Sequence, residues 1–245
     1  MKKKITRIKF KTDYQNYDLS FSSEEPMVAV ISQQETERRL VTAAAELTLY
    51  KRTNNPYGHL VRESSIYLDN GDVHGYPLGR FDQEGELLDD NQQFQDHVLG
   101  LKPFDMIEFA RHGPYESEFN AMLQRLSQGR FTAVRWDTSL GLVVATKTGG
   151  TRSIFAMSEG ELEIIKVSAR LVDLRMGRYP VQFFTSESLT LLDQNHMAKF
   201  CSELAETIDK NMQVLFVCKL VDILDSSLAE LPGLRVIELD TKEGI

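Results

Sequence analysis

Hydrophobic and polar positions follow two different periods in the N-terminal part of the chain. Residues 5–10 and 17–21 carry apolar side chains at nearly alternate positions, which indicates two half-buried strands. Residues 27–31 are continuously apolar, as in a strand that is covered on both faces. In residues 36–51 the apolar side chains recur at helical spacing. The pattern therefore predicts a strand, a turn and a helix in direct succession.

The middle of the chain alternates between short strands and one short helix. The Asn-Gly pair in residues 69–71 tolerates the positive φ angles of a tight turn and predicts a hairpin of residues 65–68 and 72–76. Residues 106–110 are predicted to form a strand, and the amphipathic residues 115–126 a helix. Three more strands are predicted, at residues 130–136, 141–146 and 151–156.

The C-terminal part is predicted to alternate between helices and buried strands. Amphipathic helices are predicted at residues 162–176 and at about residues 194–211. The apolar runs 181–184 and 214–218 predict buried strands. Large aromatic side chains along the chain are expected in the core, namely Phe104, Phe109, Phe131, Trp136, Phe155, Phe183 and Phe184.

Composition and charge restrict the partners of the chain. Its 245 residues are 42% hydrophobic, which is enough for a substantial core. The net charge of -8 argues against a surface that neutralises many phosphates of a nucleic acid. A local basic face remains as a candidate contact for nucleic acid. The alternative is that it forms a solvated strand edge that discourages aggregation. Its residues are Lys2, Lys3, Lys4, Arg7, Lys9 and Lys11.

The cysteines and the hydrophobicity profile indicate the compartment. The two cysteines, Cys201 and Cys218, lie in a predicted helix and a predicted strand without metal-ligand spacing, so free thiols in a reducing compartment are expected. No run is apolar enough to span a bilayer, and no secretion signal begins the chain. We expect a soluble cytoplasmic protein without a membrane partner. The five histidines are scattered, so no metal site is predicted.

The stretch between the first buried strand and its helix is where nucleotide-binding proteins place a phosphate loop. Such a loop needs glycines so that backbone N–H groups converge on the phosphates, a lysine for their oxygens, and a Ser or Thr for Mg²⁺. Here the stretch begins at Ser32 and contains no glycine, and Glu35 and Glu37 place carboxylates where triphosphate oxygens would lie. Arg38 stands at the lysine position and Arg39 at the Ser or Thr position. Ordinary ATP binding is therefore not expected.

The order of elements and short motifs resembles the heads of SMC-type and RecF-type ATP-binding cassette proteins. The resemblance rests on the strand and helix around this loop, and on the succession from Met157-Ser158-Glu159-Gly160-Glu161 through Leu192-Asp193 to the last apolar strand. It implies an α/β, two-lobed head like that of P-loop NTPases, with a mixed central sheet flanked by helices and an additional antiparallel sheet. The lobes would be residues 1–112, with the degenerate phosphate loop, and residues 113–245 of one compact head.

The first short motif resembles the family signature Leu-Ser-Gly-Gly-Glu. Ser158, Gly160 and Glu161 match it, whereas Glu159 replaces a glycine. In the family this motif caps the γ-phosphate of a nucleotide held by the opposite subunit, and Asp193 would belong to the D-loop of the same dimer interface. The alternative for Ser158 and Glu161 is a capping box at the start of an ordinary helix, and the two interpretations are compatible.

The remaining ATPase positions depart from the family. In the register set by the D-loop, Ser186 stands where the magnesium-binding aspartate belongs and Glu187 where the general base belongs. A shift by one residue would place Thr185 and Ser186 there instead. The position of the switch histidine falls at Lys219 or at the neighbouring Cys218. The metal-binding aspartate and the switch histidine are missing in either register.

The segment between the predicted lobes also departs from the SMC family. SMC proteins insert long heptad-patterned segments there, whereas residues 113–129 predict only one short helix. The chain thus resembles a head without the coiled-coil arm.

These departures favour a catalytically inactive head that acts by protein association, as a subunit or regulator of a DNA-maintenance or recombination-type complex. Its partner would be a second cassette-type head, either another copy or an active homologue, and no cofactor is expected. Two alternatives stay open. One is a divergent ATPase that uses ATP and Mg²⁺, with Arg38 in place of the lysine and Glu187 as the general base. The other is a nucleic-acid-binding accessory protein that uses the basic N-terminal strand.

Overall fold

The computed structural model describes residues 4–50, 56–76, 80–81, 87–88, 113–139, 141–177, 181–224 and 226–239. Within these residues the α-helices are α1 (Glu35–Tyr50), α2 (Gly113–Leu126), α3 (Glu159–Arg175), α4 (Ser186–Leu189), α5 (Gln194–Thr207) and α6 (Leu220–Leu224). Short 3-10 helices occur at Gly58–Leu60, Ile154–Ala156 and Ser227–Glu230.

Strands of the N-terminal part form an antiparallel sheet. They are β1 (Ile5–Lys11), β2 (Asn16–Ser20), β4 (Glu63–Leu68), β5 (Val73–Tyr76), β6 (Arg80–Phe81) and β7 (Leu87–Leu88). Among the described strands the order is β2-β1-β4-β5-β6-β7. The predicted hairpin is confirmed, because β4 and β5 pair antiparallel and Gly71 between them has a φ of 89°.

Strands from distant parts of the chain form a parallel sheet. They are β3 (Met27–Ile31), β11 (Val181–Thr185), β12 (Gln213–Cys218) and β13 (Leu234–Glu238). The order in the described part of the chain is β11-β12-β3-β13, with every pair parallel. All residues of β3 and β12 are buried, and the continuous apolar runs 27–31 and 214–218 predict this for every one of them except Gln213. The edge strand β13, which mixes exposed and half-buried residues, was not predicted.

The two faces of the parallel sheet contact separate hydrophobic cores. Because side chains alternate along a strand, Val28 and Val30 belong to one core, whereas Met27, Ala29 and Ile31 belong to the other. Helix α1 and the antiparallel sheet complete the first core, and α2, α3 and α5 complete the second. This layered arrangement of parallel strands, antiparallel strands and helices confirms the predicted α/β class.

A second antiparallel sheet precedes α3. It consists of β8 (Phe131–Asp137), β9 (Gly141–Thr146) and β10 (Thr151–Ser153), in the order β10-β9-β8. The prediction of a strand up to residue 156 is wrong at its end, because the Ser153 side chain accepts a hydrogen bond from the Phe155 N–H and caps a 3-10 turn.

The structure corrects several expectations about side chains. Phe155 is 91% exposed and Trp136 is 47% exposed, so the prediction that they lie in the core is wrong. Phe131, Phe183 and Phe184 are buried as predicted. Lys4 does not belong to the basic face, because its side chain is buried and its Nζ donates to the Ser23 carbonyl oxygen at 2.5 Å. Lys2, Lys3, Phe104, Phe109 and the predicted strand at residues 106–110 lie outside the described residues.

The last long helix is shorter than predicted. Helix α5 ends at Thr207 because Ile208 has an extended backbone with a ψ of 132°. The following Asp209 accepts a hydrogen bond from the Asn211 N–H at 2.7 Å, which forms a turn before β12. Among the described residues, no helix combines the length and the apolar character that crossing a bilayer requires.

Candidate functional site

The carboxyl ends of β3, β11 and β12 meet at one edge of the parallel sheet. Cys218 of β12 lies opposite Ile31 of β3, and Val217 lies opposite Thr185 of β11. The segments that leave these strands begin with Ser32, Ser186 and Lys219. In open α/β sheets this edge is where ligands bind. The structure thus brings the predicted phosphate-loop, metal and switch positions to one edge.

Arg38 closes the loop that follows β3. The side chain is 2% exposed, and its Nη1 donates to the carbonyl oxygens of Ser32 at 2.8 Å and Gln33 at 3.2 Å. A phosphate loop directs backbone N–H groups towards its ligand. Here two carbonyl oxygens of the loop instead bind a cation that belongs to the chain itself. The Arg38 Nε has no hydrogen-bond partner among the described residues.

Glu37 adds a buried carboxylate to the same loop. It is 4% exposed and accepts a hydrogen bond from the Ser32 hydroxyl, whose oxygen accepts the Gln34 N–H at 3.0 Å. The other two predicted positions lie on the outer side of α1. Arg39 Nε and Glu35 Oε1 form an ion pair of 2.7 Å between partly exposed side chains. The first turn of α1 therefore supplies both a carboxylate and a guanidinium to the loop after β3.

These residues do not fit a magnesium-bound triphosphate, the group that the resemblance implies for this edge. The Ser32 hydroxyl and two loop carbonyls are already bound within the chain, and the Glu37 carboxylate would repel phosphate oxygens. The described residues contain no group of three or more His, Cys, Asp or Glu side chains that could hold a metal ion.

Ser186 connects the ends of β11 and β12. It is buried at the start of α4, and its hydroxyl donates to Asp222 Oδ2 at 2.7 Å and accepts the Lys219 backbone N–H at 3.1 Å. The Lys219 N–H also donates to Asp222 Oδ2 at 3.2 Å. The Lys219 side chain itself is exposed. Glu187 lies in α4, and its side chain lies outside the described part of the structure.

Asp222 was missed by the sequence prediction. It brings a carboxylate to Ser186, the residue for which the sequence predicted the position of a magnesium-binding aspartate. The available signal was its place three residues after Lys219, in the first turn of a helix, where a side-chain carboxylate can accept the backbone N–H of the residue before the helix, as in a capping box.

Ser158 caps α3 through a complete capping box. Its Oγ accepts the Glu161 N–H at 3.3 Å, and the Glu161 carboxylate accepts the Ser158 N–H at 2.9 Å. Glu161 also contacts Arg152 at 2.9 Å and Arg130 at 2.5 Å. Burial alone would raise the pKa of Glu161, but the Ser158 N–H and the two arginines outweigh burial, so the pKa lies below the ordinary value. Glu159, in contrast, is exposed.

Gly160 and Asp193 connect α3 to the segment before α5. A Cβ atom at Gly160 would lie 2.9 Å from the Leu191 carbonyl oxygen, so the two backbones are in direct contact. Asp193 caps α5, with Oδ1 accepting the His196 N–H at 2.9 Å. This hydrogen bond is the main reason that the pKa of Asp193 is lowered. The predicted signature and D-loop positions therefore lie side by side.

The basic N-terminal strand carries much less free charge than its sequence suggests. Arg7 and Lys9 both pair with Asp18, at 2.6 Å and 3.7 Å. The nearby Arg62 pairs with Asp13 at 2.5 Å. Because Arg7 and Lys9 already have a carboxylate partner, the described part of the predicted face leaves mainly the exposed Lys11 for phosphate groups.

No protein-family model matches the sequence, and no curated protein matches it either. Several solved structures, however, are similar to this chain in fold. An SMC head bound to the C-winged helix domain of ScpA is 14% identical, with 98% of this chain and 95% of that chain covered and a TM-score of 0.63. An SMC head with coiled coil and joint from Pyrococcus yayanosii is 8% identical, with coverages of 99% and 96% and a TM-score of 0.64.

A third similar structure is a dimeric ATP-binding cassette in a post-hydrolysis state, bound to ADP and Pi. It is 12% identical, with 97% of this chain and 94% of that chain covered and a TM-score of 0.54. At these identities the likeness concerns the three-dimensional fold. Together with the sheet order and the position of the loops, it shows that the chain has the fold of an SMC-type ATP-binding cassette head.

Proposed function

We propose that this chain is a head that does not hydrolyse ATP and acts by associating with a second head of the cassette type, within a cytoplasmic complex for DNA maintenance or recombination. The observation that carries the proposal is the closed loop after β3. Arg38 binds the Ser32 and Gln33 carbonyl oxygens, and Glu37 binds the Ser32 hydroxyl. A triphosphate would have to displace both side chains. Its negative charge would also lose its hydration next to a buried carboxylate, which is unfavourable.

The second half of the proposal concerns association. The loop after β3 does not suit a triphosphate. The surface around Ser158 nevertheless keeps the local structure of a signature helix start. Ser158 and Glu159 are exposed there and can meet a partner. Similar structures include SMC heads bound to ScpA and a dimeric cassette, which supports a protein partner for this fold.

Calorimetry with ATP and Mg²⁺ tests the first half. We expect no saturable binding up to millimolar nucleotide. An active cassette head, measured under the same conditions, is the positive control. Saturable binding to this chain would contradict the proposal, and the rate of ATP hydrolysis would then be compared between the wild type and Glu187→Gln.

The test of association uses the full chain and an affinity resin that carries an active cassette head. We expect retention, or a homodimer in sedimentation experiments at micromolar concentration. A chain that is not retained and also stays monomeric would contradict this half of the proposal.

A divergent ATPase is the second candidate, because Asp222 brings a carboxylate to the Ser186 position. It would require Arg38 to leave the loop carbonyls. Loss of hydrolysis in both Asp222→Asn and Glu187→Gln would support it, whereas hydrolysis unchanged in both variants would indicate a contaminating enzyme.

A further inference from the structure

A pocket of about 470 Å³ lies where α4, α5, α6 and the 3-10 helix Ser227–Glu230 approach one another. Pockets for small organic molecules usually enclose about 300 to 1,000 Å³, and about 150 Å³ already admits benzene. The pocket is partly open to solvent, so a ligand can enter it without any rearrangement of the fold. It therefore has room for an aromatic ring that carries a short side chain.

One part of the pocket wall is apolar and firmly packed. Leu189, Leu192 and Met197 are buried and belong to the second hydrophobic core, so their positions are fixed by the fold. Met197 also contributes a thioether, which adapts to irregular shapes and makes favourable contacts with aromatic rings. The apolar residues of the described wall are Leu189, Leu192, Met197, Ala198 and Val221.

Asp222 is the one charged residue among the described residues of the wall. Its Oδ2 accepts the Ser186 hydroxyl at 2.7 Å and the Lys219 N–H at 3.2 Å, which fix the carboxylate in one orientation. No described residue donates a hydrogen bond to Oδ1 or forms an ion pair with Asp222. A half-buried carboxylate with one available oxygen favours a ligand with a cationic N–H donor.

The neutral polar residues of the wall are of two kinds. The hydroxyls of Thr190 and Ser226 donate to backbone carbonyl oxygens of their own turns, at 2.8 Å and 3.2 Å. The side chains of Gln194 and Ser227 form no hydrogen bond with another residue in the described part of the chain. The pocket thus combines an apolar wall with a few polar groups that can orient a ligand, as small-molecule sites do.

We infer that this pocket binds a small arylalkylamine in its protonated form. The aromatic ring lies against the apolar wall beside Met197, and the ammonium group donates to Asp222 Oδ1. This site goes beyond the proposed function, because it is separate from the loop after β3 and requires neither a nucleotide nor a second head.

NMR of the full chain with isotope-labelled methionine methyl groups tests the inference, with phenethylamine at neutral pH as the probe. The signal of Met197, identified by its loss in Met197→Leu, should shift saturably with a dissociation constant on the order of 1 mM, as expected for a ligand of this size. The signals of Met27 and Met122, which are buried in the core and do not line the pocket, should stay unchanged. Phenethyl alcohol has the same shape without the charge and should bind about 10-fold more weakly.

Three variants make the test specific for the pocket. Asp222→Asn keeps an oxygen that can accept the Ser186 hydroxyl, and it should weaken phenethylamine binding about 10-fold while leaving the affinity for phenethyl alcohol unchanged. Ala198→Trp fills the pocket from an exposed position of its wall and should abolish binding of both probes. Glu206→Gln, which removes an exposed carboxylate of α5 outside the pocket, is the control and should bind like the wild type.

Two results on the wild type would overturn the inference without any variant. One is the absence of a saturable Met197 shift at about 20 mM phenethylamine, on the order of twenty times the expected dissociation constant. The other is equal affinity for the amine and the alcohol, which would exclude a cation site. Unchanged binding of the amine by Ala198→Trp would place its site elsewhere and would overturn the inference as well.

Discussion

The Cα atom of Gly160 faces the carbonyl oxygen of Leu191 so closely that a Cβ atom would lie 2.9 Å from it. The first turn of α3 therefore packs directly on the backbone of the segment before α5. A glycine at this position has a local structural reason, namely the approach of two backbones, in addition to any role at an interface.

Gly160→Ala should reduce stability. Alanine is normally the better helix former, but the added methyl group must push the Leu191 carbonyl away, and overpacking of this kind costs about 1 to 3 kcal/mol. Chemical denaturation measures the change in the free energy of unfolding. Gly150→Ala is the control, because its Cβ would meet Thr146 Oγ1 at an ordinary 3.5 Å. Equal stability of the two variants would contradict the close contact.

Arg38→Met should destabilise the chain by about 2 to 4 kcal/mol, because it removes two hydrogen bonds from a charged donor and leaves the Ser32 and Gln33 carbonyl oxygens without it. The neighbouring Arg39→Met removes a partly exposed ion pair with Glu35 and a cation–π contact with the Tyr57 ring, each of which contributes about 0 to 1 kcal/mol at such a site. The midpoint of urea unfolding distinguishes them. A larger effect of Arg39→Met would show that the loop is not held by Arg38.

The contribution of Glu161 to stability should depend on pH. Its pKa in the folded chain lies below the ordinary value of a glutamate, so the contribution is fully present at neutral pH and is lost as the pH falls from that ordinary value through the folded-state pKa. The difference in unfolding free energy between the wild type and Glu161→Gln should therefore be largest at neutral pH and decrease in acid. The exposed Glu159→Gln serves as the control, and a pH-independent difference for Glu161→Gln would exclude this origin.

Two substitutions of Ser158 separate capping from association. Ser158→Ala should cost about 1 kcal/mol, because the α3 N-cap is lost, whereas Ser158→Asp keeps a capping oxygen and should leave the stability within about 0.5 kcal/mol. If the serine also completes a partner's site, Ser158→Asp should nevertheless weaken binding to an active head in a pull-down. Wild-type binding by this variant would restrict Ser158 to the cap.

Both cysteines should be unreactive in the folded chain. Burial raises the pKa of Cys201 and of Cys218 to about 12, so hardly any thiolate exists at pH 8. Ellman's reagent should label neither thiol rapidly under native conditions and both thiols in concentrated urea. Rapid labelling of the native protein would show that one of these segments opens.

Continuous apolar runs were the most reliable guide to the fold. Residues 27–31 and 214–218 were predicted as buried strands because every side chain in them is apolar, and the structure places them side by side at the centre of the parallel sheet. Strand β13 was not predicted, because Arg235 and Glu238 interrupt the apolar pattern of an edge strand. The positions of Phe155 and Trp136 were predicted wrongly, because hydrophobicity alone does not distinguish a core aromatic from one that a turn or an edge strand exposes.

The candidate site could be located but not described from the sequence. The resemblance to cassette heads placed Ser32, Ser186 and Lys219 at the phosphate-loop, metal and switch positions, and the structure shows that they follow neighbouring strand ends. The sequence could not show that Arg38 turns back onto the carbonyl oxygens, since a charged residue at the lysine position could equally reach towards a ligand. Nor could it show that Asp222 reaches Ser186, because that contact joins the ends of two different strands.

The central position of β3 has a consequence for synthesis of the chain. Met27–Ile31 lies between Gln213–Cys218 on one side and Leu234–Glu238 on the other. A nascent chain therefore exposes this fully apolar strand with both of its edges unpaired until Gln213–Cys218 has left the ribosome, and with one edge unpaired until Leu234–Glu238 has followed. Unpaired apolar strands of this kind aggregate readily, and sheets that depend on distant segments form slowly. Efficient production of the protein should thus depend on chaperones that shield Met27–Ile31 until Glu238 has emerged.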